Sequence, residues 1–239
     1  MNVWPPLWVS GWGTPGWAWG RNETFVFNNP FVVVQPVNTT KIVEVPVFLD
    51  YSRPLPMPAD VDIAELESDD ELAPEDELTQ EAMQHFDDAK AAFRDSNYEA
   101  ALRSIDSAIE LLPSDATLHE FRALCLFAMK DYQQAAATIY AVLAAGPGWN
   151  WETMAGLYRN TDTHTQQLRA LESHVIANPD DSAAAFLLAY QYMTMGHMDA
   201  AVGKWERVAQ LLPEDDLTAQ LLEAFRPAVA DAAEPGERK

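Results

Sequence analysis

From residue 82 onward, apolar residues recur at helical spacing, whereas the first 58 residues show short apolar runs broken by proline. The segment NYEAALRSIDSAIELLP carries its apolar side chains three and four positions apart, which is typical of an amphipathic helix. Similar segments follow one another as far as residue 226. The pattern therefore predicts an all-α domain over residues 82–226 and a frayed tail over residues 227–239.

The helical pattern repeats along the chain with a period of about 34 residues. Four pairs of positions share this separation: Tyr98 and Tyr132, Ala101 and Ala135, Ala108 and Val142, and Pro113 and Pro147. Pro179 precedes Pro213 by the same distance, and Met198, Ala201 and Val208 continue the pattern. Small residues at fixed positions let two helices approach closely. A fixed period of this length therefore indicates helix pairs stacked in an array.

Between about Ala82 and Leu212 the sequence resembles the tetratricopeptide repeat family, whose helix pairs carry the signature W-x2-L-G-x2-Y…A-x3-F…P. The resemblance implies an all-α solenoid of helical hairpins, with about four helix pairs. After Pro213 the segment DDLTAQLLEAF is amphipathic, and it predicts a C-terminal capping helix that covers the last pair. The resemblance also implies a protein or peptide partner.

The stretch GPGWNWETMAGLY breaks the period, because Pro179 follows Pro147 two positions earlier than the period requires. Counted back from Pro179, four residues fall on the first-helix signature: Trp151, Met154, Ala155 and Tyr158. The stretch is therefore predicted to be a further repeat with a shortened turn, and Trp151 is predicted to pack in the core. Gln167 and His174 stand where the repeat favours alanine, which predicts looser or rearranged packing of the second helix.

A more specific resemblance concerns the same region. The segments GPGWNWETMAGLY, LRALESHVIANP and AAFLLAYQYMTMGH resemble repeat proteins of planctomycete bacteria. Those proteins also place a Trp/Asn/Pro-rich segment before the array. This resemblance implies no known activity.

Residues 1–58 differ from the array in composition. They hold nine of the sixteen prolines and five of the eight tryptophans, which excludes a helix there. The runs TFVFNNPFVVVQPV and TTKIVEVPVFL are rich in β-branched residues, so an extended, low-order or partly β segment is predicted. Residues 59–81 are predicted to form an acidic linker, since residues 59–88 contain thirteen acids and no base.

Charge and cysteine content exclude several classes of function. The chain carries 37 acidic and 15 basic residues, a net charge of −22, whereas nucleic acid binding needs clustered Lys and Arg. The single cysteine, Cys125, rules out an internal disulfide and slightly favours the cytoplasm. An export signal upstream of this start would instead indicate the periplasm or envelope. No apolar run approaches the roughly 18 residues of a transmembrane helix.

The sequence contains no recognisable motif for catalysis, cofactor binding or metal binding. Its five histidines include no pair at the i,i+4 spacing of a helical zinc site. Cys125 lies between Leu124 and Leu126 on an apolar helix face, which predicts a buried thiol. The nucleophile elbow, the dinucleotide-binding glycines and the P-loop lysine are absent. We therefore expect no enzymatic activity, cofactor or metal.

The candidate binding residues follow from the register of the first helix of each pair, which lines the concave face in tetratricopeptide proteins. Carrying that face over predicts twelve partner-binding residues: Phe86, Lys90, Phe93, Glu120, Leu124, Phe127, Trp149, Glu152, Arg159, Phe186, Tyr190 and Met193. This groove is aromatic and mixed in charge, and it lacks the Lys/Asn/Arg set with which some family members clamp a peptide carboxylate. Because aromatic stripes usually pack, the alternative is that several of these residues belong to the core.

Three functions remain open. The first is a protein–protein interaction scaffold that binds an extended peptide segment in the aromatic groove. The second is a structural or envelope-associated protein anchored through its Trp/Pro-rich N-terminus, and the third, with least support, is an enzyme. In the first case residues 24–56 are predicted to dock on the array in competition with a partner. A flexible linker over residues 59–81 would span about 25–30 Å, which is enough for that contact.

Overall fold

The computed structural model describes residues 29–32 and 74–233. Within this part of the chain the regular structure consists of nine helices: α1 (Pro74–Arg94), α2 (Tyr98–Leu111), α3 (Ala116–Ala128), α4 (Tyr132–Ala145), α5 (Trp151–Leu157), α6 (Thr161–Ala177), α7 (Ser182–Thr194), α8 (Met198–Leu211) and α9 (Asp216–Ala233). They form three packed helical hairpins (α1–α2, α3–α4 and α7–α8), a pair of consecutive helices α5 and α6 that hardly pack against each other, and a C-terminal helix. The predicted all-α solenoid with a capping helix is therefore confirmed.

Short polar residues fix where the helices begin. Six helices start after an Asn or Asp whose side chain accepts a hydrogen bond from a backbone N–H of the first turn: Asn97, Asp115, Asp131, Asn150, Asn160 and Asp181. Such a cap satisfies one of the four backbone donors that a helix start leaves unpaired. Two of these residues, Asn97 and Asp131, are separated by one full period, so the sequence period includes the helix starts.

The three packed hairpins share one turn. The residues Ser96, Lys130 and Gly196 all have a positive φ, between 60° and 80°. In each case the next residue donates its N–H to a carbonyl five positions earlier, as in the bond from Asp131 to Leu126. This is the Schellman arrangement, which ends one helix and turns the chain sharply into the next. Helices α5 and α6 are joined without such a turn, which sets them apart from the three hairpins.

The stacking order is not the order along the chain. Helix α2 packs on α3, but α4 packs directly on α7, and α8 packs on α9. Helices α5 and α6 therefore lie outside the stack, and they contact α1 and α7 instead. The sequence predicted a further repeat at this place. Two helices did form, but the seven-residue α5 does not pack along α6 as the paired helices of a repeat do.

The stacked hairpins bury the small residues of the sequence period. Ala101, Ala135 and Ala201 are fully buried at helix crossings, which lets the paired helices approach closely. Trp205 of α8 stacks on Phe225 of α9, with ring centroids 5.5 Å apart. Helix α9 thus covers the apolar face of the last hairpin, as a capping element must in a repeat array.

The N-terminal boundary of the array differs from the sequence pattern. Helix α1 begins at Pro74, so its first two turns lie inside the segment predicted as the acidic linker. Proline suits a first turn because its missing N–H would be unpaired there in any case. Residues 1–58 lie almost entirely outside the described residues, so their predicted form stays a prediction. Helix α9 continues to Ala233, beyond residue 227, where the frayed tail is predicted to begin.

Candidate peptide-binding site

The twelve predicted groove residues lie mostly inside the fold. Eight are buried: Phe93, Glu120, Leu124, Phe127, Trp149, Phe186, Tyr190 and Met193. Phe86 and Lys90 are half-buried, and the Lys90 ammonium lies 4.5 Å from the centre of the Phe86 ring. Glu152 and Arg159 are exposed. Binding of a partner by these residues stays a prediction, and in this conformation most of them contact other parts of the same chain.

Helices α5 and α6, with the turn before them, cover part of the face formed by α1, α3 and α7. Tyr158 packs edge-on against Phe93 of α1, with centroids 5.0 Å apart. Arg94 donates a hydrogen bond to the carbonyl of Gly156 at 3.2 Å, and Arg159 forms an ion pair with Asp95. These contacts join the end of α1 to the end of α5. The chain thereby fills a large part of its own predicted groove.

A buried glutamate holds the turn that leads into α5. One carboxylate oxygen of Glu120, Oε1, accepts a hydrogen bond from the backbone N–H of Trp149 at 2.6 Å and another from the Tyr190 hydroxyl. The other oxygen, Oε2, has no partner among the described residues. Burial raises the pKa of Glu120 to about 7, although both hydrogen bonds act in the opposite direction. The carboxyl group links α3, α7 and the α4–α5 turn.

A buried histidine completes the contact between α6 and the stack. His164 lies 3.0 Å from the Gln191 side-chain oxygen, and burial lowers its pKa. Its ring packs edge-on against Trp151, with centroids 5.0 Å apart. Trp151 itself packs against the hydrophobic core, as the sequence predicted. These are structural contacts of α6 with α5 and α7.

The two polar residues that replace alanine in α6 give it a rearranged packing. Gln167 accepts a hydrogen bond from Tyr158 at 2.8 Å and donates one to the Tyr98 hydroxyl at 3.0 Å. The His174 ring lies 4.9 Å from the Tyr132 ring, centre to centre, and His174 pairs with Asp181 at 2.8 Å. Polar side chains therefore replace the close helix crossing that alanine would permit.

A second site lies at the junction of α4 and α7, where Phe31 is bound. Phe31 is only 2% exposed, and its ring packs against Tyr140 at 5.7 Å and Phe186 at 5.1 Å between centroids. Gln133 donates a hydrogen bond to the Phe31 carbonyl at 2.6 Å. The Asn29 amide donates one to the carbonyl of Ala137 at 2.7 Å. We call Gln133, Ala137, Tyr140 and Phe186 together the Phe31 site.

The bound segment holds its own shape. The Asn29 side-chain oxygen accepts a hydrogen bond from the backbone N–H of Phe31 at 3.1 Å. The N–H of Val32 points back to the Asn29 carbonyl at 3.5 Å. A side chain that bonds the backbone two residues on is typical of Asn in a tight turn. Pro30 between them is exposed, so the turn presents Asn29 and Phe31 to the array.

Sequence reasoning identified only Phe186 among the residues of the Phe31 site. A comparison of the second helices of the pairs would have identified Tyr140 as well. Counted from the first residue of each helix, Asp106 of α2 and Glu206 of α8 hold the position that Tyr140 holds in α4. Both acids form ion pairs with the next helix, to Arg122 and Arg226. Helix α4 therefore differs from α2 and α8, because it carries an aromatic residue at the position where they carry an ion-paired acid.

The described residues offer little for other kinds of site. No described helix is both long enough and apolar enough to cross a membrane. In the same part of the chain, no cluster of three or more His, Cys, Asp or Glu side chains could hold a metal ion. Cys125 is buried, and burial raises the pKa of its thiol well above the usual range.

Comparisons with known proteins find one matching family model and several similar solved structures. Residues 82–148 match the family model of the tetratricopeptide repeat. Among solved structures, the chain is similar to the first tetratricopeptide domain of Spaghetti (RPAP3) bound to an HSP90 peptide, with 16% identity over 64% of this chain and 95% of that one, at a TM-score of 0.29. No curated protein matches the chain.

Two further solved structures are similar over the same share of the chain. MamA of Desulfovibrio magneticus RS-1, from residue 41 to its end, has 21% identity over 64% of this chain and 88% of that one, at a TM-score of 0.30. YrrB, a tetratricopeptide protein with an unusual peptide-binding site, has 21% identity over 65% and 85%, at a TM-score of 0.28. The resemblance to planctomycete proteins stays a prediction. The described hairpins form a tetratricopeptide-type solenoid, and residues 82–148 carry the repeat of that family.

Proposed function

We propose that this protein is an interaction scaffold that binds extended peptide segments through aromatic residues of its helical array, and that one such segment is its own N-terminal region. The coarser role, a protein-interaction scaffold, follows from the tetratricopeptide architecture. Arrays of stacked helix pairs present long surfaces for binding other polypeptides. The finer role concerns which surface binds and what occupies it.

The observation that carries the proposal is the binding of residues 29–32 at the junction of α4 and α7. A buried phenyl ring and two hydrogen bonds, of 2.7 and 2.6 Å, join this segment to a helix far along the chain. Burying a phenylalanine side chain stabilises a contact by about 2–3 kcal/mol. The segment therefore supports the prediction that residues 24–56 dock on the array. Four of those residues are described, and the docking of the remainder is part of the proposal.

The predicted concave groove enters the proposal in a restricted form. Three of its buried members, Phe93, Glu120 and Phe127, contact residues between Trp149 and α6, so a partner that used them would have to displace this segment. Phe86 and Lys90 remain partly accessible and Glu152 and Arg159 are exposed, so these four residues offer a partner a smaller surface of mixed charge. The Phe31 site shares Phe186 with the predicted groove, so the two surfaces meet at α7.

Hydrogen exchange tests the proposal on three chains. Two are full-length, the natural chain and the Phe31→Ala variant, and the third lacks residues 1–58. Without the phenyl ring, the amides of α4 around Ala137 are expected to exchange faster, because they lose a packed neighbour. The amides of α1 and α2 serve as the internal control, since the described contacts of residues 29–32 are with α4 and α7. Equal exchange of α4 in all three chains would show that the segment does not occupy the array.

A further inference from the structure

We propose that the Phe31 site is a recognition site for Asn-Pro-Phe turns on other proteins, and that the chain's own Asn29-Pro30-Phe31 segment occupies it until such a partner displaces it. The inference rests on the proposed scaffold function and specifies the chemistry of its ligand. The occupant is a partner protein that presents an uncharged Asn-Pro-Phe turn on its surface.

The site recognises two side chains and one backbone group of the turn. The Ala137 carbonyl accepts from the Asn29 amide, Gln133 donates to the Phe31 carbonyl, and the rings of Tyr140 and Phe186 enclose the phenyl group. An amide donor at the first position is thus required, because aspartate or alanine could not serve the helix carbonyl. An aromatic ring at the third position fills the space between the two helices.

The turn carries its own conformation, so a short motif is sufficient. The Asn29 side chain closes the turn onto the Phe31 N–H, and the pyrrolidine ring of Pro30 restricts its φ before binding. A ligand that already holds its bound shape loses less conformational entropy on binding. Neighbouring residues therefore need to contribute little, and the motif can be carried by an unrelated polypeptide.

The corresponding junctions of the array are closed in a different way. Between α2 and α3 an ion pair joins Asp106 and Arg122 at 2.7 Å, and between α8 and α9 another joins Glu206 and Arg226 at 2.9 Å. At the junction of α4 and α7 the described contacts of the segment come from neutral groups. The two ion pairs are partly exposed, whereas the Tyr140 hydroxyl donates to the buried Asp215 carboxylate at 2.7 Å. This junction therefore offers an uncharged ligand an aromatic ring at the position where the other junctions hold an ion pair.

A second copy of the chain is a poorer occupant than a different protein. Each copy already binds its own turn, so an exchange between two copies forms no additional contact. Such an exchange also loses translational and rotational freedom. A partner with a free turn gains the contact and competes only with the tethered segment, whose local concentration is about millimolar.

The test uses a fluorescently labelled peptide of residues 27–34 and measures its binding to full-length chains by anisotropy. Phe31→Ala vacates the site, so this chain is expected to bind the peptide at least about tenfold more tightly than the natural chain. A peptide with Ala at the Phe31 position should bind about 10- to 100-fold more weakly. A peptide with Ala at the Asn29 position should bind several-fold more weakly.

Matched substitutions on α4 identify the site. In the Phe31→Ala background, Gln133→Ala is expected to weaken peptide binding several-fold. Gln134→Ala, at the adjacent exposed position, should leave it unchanged. If Phe31→Ala loses its helical circular dichroism, the Asn29→Ala chain replaces it and should still bind the peptide several-fold more tightly than the natural chain.

Three results would overturn the inference. The local concentration of a tethered segment is about 1 mM. If the peptide does not bind up to this concentration, the site does not bind turns on separate polypeptides. Equal binding of the natural and substituted peptides would show that the site does not recognise the Asn-Pro-Phe motif. In that case, protection of α4 by the chain's own segment in hydrogen exchange would still support the scaffold function. Stable heterodimers in a mixture of Phe31→Ala and Gln133→Ala chains would assign the site to a second copy of the chain.

Discussion

At the scale of single residues, Glu120 is a carboxyl group held almost entirely away from water. Its side chain is 1% exposed, and only one of its two oxygens is paired among the described residues. A buried carboxylate with an unpaired oxygen is costly, whereas a neutral carboxyl is less so. The residue therefore favours its protonated form in the folded state, and the folding equilibrium depends on pH.

We predict that Glu120→Gln removes the loss of folding stability that Glu120 causes as pH rises from about 4.5 to about 7. Because the pKa of Glu120 is raised to about 7 from an ordinary value of 4.5, the folded chain holds a proton that the unfolded chain releases. Stability should therefore fall as pH rises from about 4.5 to about 7. At about 1.4 kcal/mol per pKa unit the loss is about 3 kcal/mol. Urea unfolding at pH 5 and pH 7.5 measures most of it, and identical pH profiles of both chains would contradict the prediction.

Gly148, beside Glu120, has a conformation that other residues rarely adopt. Its φ is +73°, and a Cβ there would lie 3.1 Å from Glu120 Oε1 and 3.3 Å from the Tyr190 ring. Gly148→Ala is therefore predicted to lower the free energy of unfolding by about 1–3 kcal/mol. Gly203→Ala in α8 is the control, since nothing lies within 4 Å of its added Cβ. That variant should match or exceed the natural stability, and equal values for both variants would contradict the argument.

At the scale of elements, the alanines of the period set the distance between helices. Ala201 is fully buried at the start of α8, so Ala201→Trp should overpack the crossing of α7 and α8. Overpacking of this size costs at least about 1–3 kcal/mol, and a lowered melting temperature is expected. Ala91→Trp, on the exposed side of α1, is the matched control. A melting temperature of Ala201→Trp equal to that of the natural chain would refute the repeat register.

The hairpins could be predicted from the sequence, but their stacking order could not. Helix boundaries follow from local signals, such as the Asp and Asn caps and the proline after each second helix. Which hairpins become neighbours depends on surfaces that meet only in three dimensions. Helix α7, SAAAFLLAYQYMT, is buried on almost every side, because α4, α6 and α8 all pack against it. Its apolar composition all round was the one available signal of a central helix.

The same limit applies to the candidate site. The helical register placed Phe93, Phe127 and Tyr190 on the inner faces of first helices, and burial of these residues is what the core interpretation predicted. The register could not show that α5 and α6 would cover that face. It also could not connect Phe31 with Tyr140, because the contact joins segments that are far apart in the sequence.

At the scale of the whole molecule, the three packed hairpins form a continuous stack that does not run through α5 and α6. Helix α4 contacts α7 as α2 contacts α3, and residues 112–115 connect α2 to α3. Replacing residues 146–181 by the sequence LPSD of residues 112–115 would therefore join α4 to α7 through a turn already used in this chain. Its final Asp would cap α7, as Asp181 does now.

We predict that this shortened chain folds into three stacked hairpins with α9 and exposes the inner face of α1, α3 and α7. Helical circular dichroism should persist, since neighbour contacts stabilise a repeat array. The melting temperature should fall, because Leu124 and Tyr190 lose the cover of α5. A dye that binds apolar surface should bind this chain more strongly than the natural one.

A chain without residues 116–149, which removes the α3–α4 hairpin from inside the stack, is the matched control and should lose cooperative unfolding. If the two deletions are equally damaging, α5–α6 is an integral repeat of the stack and not a cover of its inner face.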